Sequence, residues 1–237
     1  MKVIAYSLFG NNPRYTINMI INIELAVTLY PDWRVWVYYD NTVPQKILNK
    51  IKSYSNADLK DGNESMGIVS DTSSYSWRRL MWRFCSYDDE QVEYSIFRDA
   101  DSYVSQREKD AVDQWISTKK SLHIMREVYP GHNSQIMAGM WGLRKNNKID
   151  SLKTMCMNYT ASSNYAMDQS FLNGIVYPIY YKDMVVHDSN SDLRYNDFTN
   201  DWPSPTYNDQ YIGRTQGPPC EESGMVQRYN DLIVEMQ

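Results

Sequence analysis

The chain has 237 residues, 42% of them hydrophobic and 22% charged, with a formal net charge of −5. That is an ordinary globular composition, long enough for one large domain built from two halves. An acidic balance with no basic stripe argues against nucleic acid as a partner, and no stretch approaches the roughly 20 apolar residues a membrane-spanning helix needs. Cys85, Cys156 and Cys220 are widely spaced and odd in number. They fit neither a zinc pattern nor a disulfide framework and suit a reducing, cytoplasmic compartment.

Lys2–Ser7 reads as a short apolar strand closed by a Gly-Asn-Asn-Pro turn. Tyr15–Tyr30 follows as a helix, with Ile17, Ile20, Ile21, Leu25 and Leu29 near helical spacing and Pro31 ending the run. Arg34–Tyr39 is a β-branched and aromatic strand, Val43–Tyr54 an amphipathic helix, and Ile68–Val69 a weak strand. Trp77–Phe84 reads as a helix and Glu93–Phe97 as a strand. Gln106–Trp115 is a helix, Ser121–Met125 a strand, Tyr165–Asn173 a helix and Asp183–Val186 a strand. From Asp188 onward the chain is rich in Asn, Asp and Pro and is expected to wind over the surface. This alternation predicts an α/β fold with an open, mostly parallel twisted sheet flanked by helices.

Open α/β sheets bind ligands outside the carboxyl ends of their strands. Ser7, the pair Asp99 and Asp101, and His187 each follow such an end, and the three predict one crevice. Residues two apart in extended chain point the same way, so Asp99 and Asp101 face one point with Ala100 turned away. Like charges that close need a cation between them. Mg²⁺ and Mn²⁺ take one or two carboxylates together with substrate phosphates, which suits an Asp-x-Asp at a strand end. Arg98 beside the pair would add positive charge. A polar turn or helix cap is the other reading of the same three residues. His187 is the natural third ligand, or else a satisfied structural histidine. His123 and His132 either contact substrate or hold their loop by hydrogen bonds.

Arg79 and Arg83 stand four apart in SWRRLMWRF, on one helix face: either a phosphate-binding pair or a solvated face. Gly139 in IMAGMWGLR allows close approach of backbone to a ligand, or simply turns the chain. Asp168 and Gln169 begin a helix, where a carboxylate favours the helix dipole, binds sugar hydroxyls or stabilises a cationic carbon. No nucleophile elbow, P-loop or dinucleotide fingerprint occurs, which counts against hydrolase, kinase and dehydrogenase readings.

Together these segments resemble the small GT-A-type glycosyltransferases of bacterial surface-polysaccharide loci and of large DNA viruses. The likeness is carried by NMIINIELAVTLYPDWRVWVYYDNTVP, by SWRRLMWRF followed by SIFRDADSYVSQREKDAVDQWI, by LHIMREVYPGHNSQIMAGMWGLR, and by MDQSFLNGIVYP with VVHD. It implies a single domain, with a nucleotide-sugar-binding half over about 1–105 and an acceptor half over about 106–237. It implies Mn²⁺ or Mg²⁺ on Asp99, Asp101 and His187, and a donor site formed by Ser7, Phe9, Arg79, Arg83, Asp99, Asp101 and Gly139. Catalysis would fall to Asp168, Gln169 and Glu127. The implied reaction moves a sugar from a nucleotide-sugar, a UDP-sugar above others, to a hydroxyl of a glycan or protein-linked glycan, with retention favoured. Ser170 stands where relatives often carry a second Asp, and Glu127 where they often carry Asp. The competing readings are a non-catalytic nucleotide- or carbohydrate-binding protein and a nucleotide-sugar hydrolase.

Overall fold

A computed structural model describes residues 1–68, 73–127, 134–160, 166–189, 203 and 223–236. The strand β1 (Lys2–Leu8) is buried along most of its length and so reads as a nearly continuous apolar run rather than an alternating one. Gly10, at φ +74°, turns the chain in a conformation few other residues adopt cheaply. Helix α1 (Pro13–Leu29) then starts on Asn12, whose side chain accepts from the backbone N–H of Arg14 at 3.0 Å, with Pro13 in the first turn.

β2 (Trp33–Tyr39) leads to α2 (Gln45–Lys52), which buries Ile47, Leu48 and Ile51. β3 (Ala57–Asp61) runs into the short α3 (Gly62–Met66). Ser73–Asp88 coils as a long tight helix with 3-10 character. β4 (Tyr94–Arg98) is wholly buried, and α4 (Gln106–Thr118) is capped by the Ser105 hydroxyl on the Glu108 amide. β5 (Leu122–Arg126), β6 (Trp141–Arg144) and α5 (Leu152–Asn158) follow. α6 (Met167–Phe171) continues through one wide turn, Leu172–Val176, into α7 (Tyr177–Tyr180), and then come β7 (Met184–Asp188) and α8 (Ser223–Met236).

The described strands form one seven-stranded sheet in the order β3-β2-β1-β4-β6-β5-β7, parallel except for β6. This is the open, mostly parallel α/β sheet that the alternation of elements predicts. Two apolar cores cover its faces. One joins Trp82, Phe84, Phe97, Trp141 and Phe171, and the other joins α1, α2 and α4 through residues such as Ile20, Ile51 and Trp115.

Three expectations are corrected. The weak strand at Ile68–Val69 does not form at Ile68, which follows α3, and Val69 lies outside the described residues. The third strand is instead ADLKD, an edge strand whose residues are all partly or fully exposed; it is paired with β2 and packs Ala57 and Leu59 against the core. β6 was not predicted because Gly142 interrupts its apolar run. A Cβ there would lie 3.0 Å from Ile96 Cγ2 and 3.1 Å from both Ser95 O and Trp115, so glycine lets this antiparallel strand slip between β4 and β5. The surface course expected after Asp188 falls largely outside the described residues, but Ser223–Met236 is a helix docked on α1. There Arg228 pairs with Glu24, and Tyr229 and Leu232 are buried. No helix among the described residues is long and apolar enough to cross a membrane.

Candidate functional site

β1 and β4 run side by side with Tyr6 opposite Arg98, so their carboxyl ends emerge together. Asp99 follows β4 directly, and its carboxylate is half exposed. Its oxygen Oδ2 would sit 2.1 Å from a Cβ on residue 139. Gly139 is therefore a place where backbone and carboxylate meet so closely that any added side chain would displace the carboxylate. Asp101 is buried, and its Oδ2 accepts from Arg14 on the first turn of α1, at 3.0 Å from Nε and 2.8 Å from Nη2. Burial, then the neighbouring charge of Asp99, push the Asp101 carboxyl above the usual carboxylate range, and Arg14 opposes them.

Arg83 organises the rest of the site. Its side chain is only 3% exposed. Nη1 donates to the carbonyl of Arg98 at 2.7 Å and to Asp99 Oδ1, while Nη2 reaches Asp168 Oδ2 at 3.4 Å. Asp168 stands in the first turn of α6 and also accepts from the Gln169 amide at 2.9 Å. Burial raises its pKa, Arg83 lowers it, and Asp99 raises it further. Two carboxylates, Asp99 just after β4 and Asp168 in α6, are thus held by one buried guanidinium, with the charge of Asp101 nearby. Gln169 follows at the half-buried surface of the same helix. None of the three arginines of SWRRLMWRF, Arg78, Arg79 or Arg83, is a solvated surface group.

Ser7 links β1 to the arginine helix. Its hydroxyl accepts from the Arg83 amide at 3.1 Å and lies 3.4 Å from the carbonyl of Leu80. Arg79 turns toward the end of β2, where Nη1 is 3.4 Å from Asp40 Oδ2 and the guanidinium lies over the ring of Phe9. Phe9 meets Trp82 edge to face at 6.2 Å. Asp40 is 2% exposed, and its Oδ1 accepts from the amide of Thr42 at 3.0 Å and from its hydroxyl. Ser7, Phe9, Arg79, Arg83, Asp99, Asp101, Gly139 and Asp168 therefore form one connected stretch along the carboxyl ends of β1, β2 and β4.

Other expected residues lie elsewhere. His187 does not join the aspartates. β7 is three strand steps from β4, about 14 Å at the usual spacing. Its ring nitrogens meet His123 Nε2 at 2.8 Å and Gln114 Oε1 at 2.5 Å. Burial, with the Arg107 charge behind it, lowers the His187 pKa to about 4, and burial together with His187 lowers that of His123 well below its ordinary value. The pair packs beneath Trp115, which stacks on His123. A three-ligand set of Asp99, Asp101 and His187 is thereby corrected, and among the described residues no three His, Cys, Asp or Glu side chains are gathered as a metal cage. The expected single crevice likewise loses its His187 corner.

Glu127 is buried and accepts from Arg107 Nε at 2.9 Å, in a network that continues from Arg107 to Ser189. Arg98 points away from the pair. Its Nε donates to Glu108 at 2.8 Å, and Nη1 donates to the carbonyls of Phe97 and Trp141. Side chains alternate along a strand, so the residue before Asp99 faces the opposite side of the sheet. His132 lies outside the described residues.

Two residues of the site escaped the sequence. Asp40 carried a usable signal, a carboxylate directly after the strand RVWVYY. Arg14 carried none, because its partner lies 87 residues further along the chain.

Fold and site define an α/β protein with a carboxylate–arginine group at the carboxyl ends of its central strands. No family model matches the chain, and no curated protein sequence matches it. Among solved structures it is similar to a glycosyltransferase involved in glycosylation of the major capsid of PBCV-1, at 15% identity and a TM-score of 0.46, over 79% of this chain and 81% of that one. It is also similar to S. aureus TarS in complex with UDP, at 14% identity and a TM-score of 0.49, over 80% of this chain and 58% of that one. An active-site mutant of LgtC matches at 11% identity and a TM-score of 0.49, over 99% of this chain and 96% of that one. One fold hosts many chemistries, so function rests on the residues of the site.

Proposed function

We propose that the protein is a glycosyltransferase that moves one sugar from a nucleotide-diphosphate sugar, a UDP-sugar above others, to a hydroxyl of a glycan or protein-linked glycan. The observation that carries this reading is the group Asp99, Asp101, Asp168 and Arg83 at the carboxyl end of β4, beside the ends of β1 and β2. The first half of the chain, about 1–105, is taken as the donor side and the rest as the acceptor side.

A divalent cation fits the pair. Asp99 and Asp101 offer hard oxygen donors, one half exposed and one buried, and the burial of like charges is what such an ion relieves. When bound there, Mn²⁺ or Mg²⁺ neutralises the diphosphate leaving group as a Lewis acid. Arg83 fixes Asp99 and Asp168 relative to each other, so the diphosphate end and the sugar end of a donor are held in one frame. Phe9, Asp40 and Arg79 supply an aromatic edge and a polar rim for the nucleoside, with Ser7 holding the arginine helix in place. Gly139 leaves room beside Asp99.

Glycosyl transfer passes through an oxocarbenium-like state, and a carboxylate nearby stabilises that charge. Asp168, with Gln169 next to it, is assigned this place, and retention is the favoured outcome. Glu127, buried under Arg107, serves better to hold α4 against β5 than to take a proton from an acceptor.

Calorimetric titration of a panel of nucleotide-sugars, with and without Mn²⁺, tests the reading on wild type and Asp101→Ala. The expected result is one donor that binds only with metal and is lost in the variant. Equal binding by the variant, or binding of none of the panel, rejects it. Acceptor-dependent turnover separates a transferase from a hydrolase or a binding protein.

A further inference from the structure

The two arginines that attend the aspartate pair are held very differently. Arg83 is 3% exposed and is fixed from several sides by Arg98 O, Asp99 and Asp168. Arg14 is 40% exposed, stands on the first turn of α1, and brings both Nε and Nη2 to a single atom, Asp101 Oδ2. The asymmetry extends to the partners. The Asp101 side chain is only 8% exposed, whereas that of Asp99 is 46% exposed.

A half-exposed guanidinium loses little when it leaves a carboxylate, because water takes over its donors. A buried carboxylate cannot be left without a counter-charge at similar cost. Whatever removes Arg14 from Asp101 must therefore bring positive charge with it. A cation shared between Asp99 and Asp101 does so, and it competes with Arg14 for the same carboxylate.

We propose that Arg14 is the displaceable counter-cation of this site: it occupies Asp101 in the metal-free protein and yields that carboxylate when a divalent cation binds. The inference rests on the metal–nucleotide reading above and adds a residue to it. Arg14 holds down the metal affinity of the empty protein. Once released, its guanidinium stands beside the pair, where an anionic ligand such as a diphosphate gives it a new partner. Metal and nucleotide would then favour each other through Arg14.

The test is Mn²⁺ binding to the full chain, followed by the paramagnetic resonance signal of unbound Mn²⁺, for wild type, Arg14→Met and Arg14→Lys. The Met variant should bind Mn²⁺ roughly fivefold more tightly than wild type without nucleotide, the worth of one partly exposed charge pair. The Lys variant, with a single ammonium in place of the fork, should fall between them. A second readout uses wild type alone. The Nε–Hε resonance of Arg14 should move on titration with diamagnetic Mg²⁺, with the midpoint at which Mg²⁺ binds. Equal or weaker Mn²⁺ binding by a folded Met variant overturns the proposal, as does Mg²⁺ binding that leaves the Arg14 resonance unmoved. If the Met variant does not fold, the resonance decides. If none of the three proteins binds metal, with or without UDP, the metal reading itself fails and the proposal falls with it.

Discussion

Arg83 Nη2 lies 3.4 Å from Asp168 Oδ2, which ties the helix Ser73–Asp88 to α6 at the carboxyl end of β4. Nη1 of the same guanidinium binds Asp99, so the two carboxylates share one anchor.

Removing that guanidinium leaves the buried Asp168 and its neighbours uncompensated. Arg83→Met should cost about 3–5 kcal/mol in a urea unfolding series, the usual consequence of breaking a buried pair from one side. Adding Asp168→Asn should return part of the loss, since it removes one of the stranded charges. A single-variant loss below about 1 kcal/mol, the range of surface pairs, would show that Asp168 does not depend on Arg83.

Gly139→Ala tests the close approach to Asp99. The added methyl would lie 2.1 Å from Oδ2, and the half-exposed carboxylate can swing away into solvent. The unfolding free energy should change by no more than about 1 kcal/mol. Nucleotide-sugar affinity in the presence of Mn²⁺ should fall at least roughly tenfold, since one displaced carboxylate costs at least a charge-assisted contact. Unchanged affinity would separate Asp99 from the ligand.

Asp40→Asn probes the end of β2. It removes the charge that faces Arg79 while preserving the hydrogen-bond shape around Thr42. Nucleotide affinity should drop several-fold, and Mn²⁺ binding to the aspartate pair should be unaltered. A parallel loss of both would mean that Asp40 acts through the fold rather than through the nucleoside.

The His123–His187 pair predicts a pH dependence away from the site. Both folded-state pKa values lie below the ordinary histidine value, His187 at about 4. Between that value and the unfolded one near 6.5, the unfolded chain binds more protons than the folded chain, so stability rises with pH. The contribution is full above the unfolded pKa. It is lost as pH falls toward about 4 for His187, at a slope on the order of 1 kcal/mol per pH unit. Asp101 and Asp168, whose pKa values are raised, work in the opposite sense. The difference between wild type and His187→Gln, measured by urea unfolding from pH 7 to pH 5, isolates the histidine. The variant should show the flatter profile, and an equal slope would place the proton elsewhere.

The sequence by itself determined β1, α1, β2, α2, β4, α4, β5 and β7, and the place of the aspartates after β4. A continuous apolar run such as VIAYSL or YSIF, bounded by turn residues, reads as a strand buried on both faces, and the aspartates fall at the end of such a strand. Those are local facts of side-chain period and of what water excludes. Residues 99–102 themselves form a turn, closed by the Ser102 amide on the Asp99 carbonyl at 3.1 Å, so extended-chain alternation does not set how Asp99 and Asp101 face each other. Four things depended on contacts between residues far apart in the chain. ADLKD is a strand because β2 offers it a ladder, and WGLR because β4 and β5 leave a gap that only a glycine-bearing strand fills. His187 follows MVV in the sequence much as Asp99 follows SIFR, yet the strand order puts β7 at the far end of the sheet and gives its ring to His123 and Gln114. Arg14, with nothing local to mark it, came to Asp101 because α1 begins beside the end of β4. Charges pair through space, and only the tertiary structure decides which ones are neighbours.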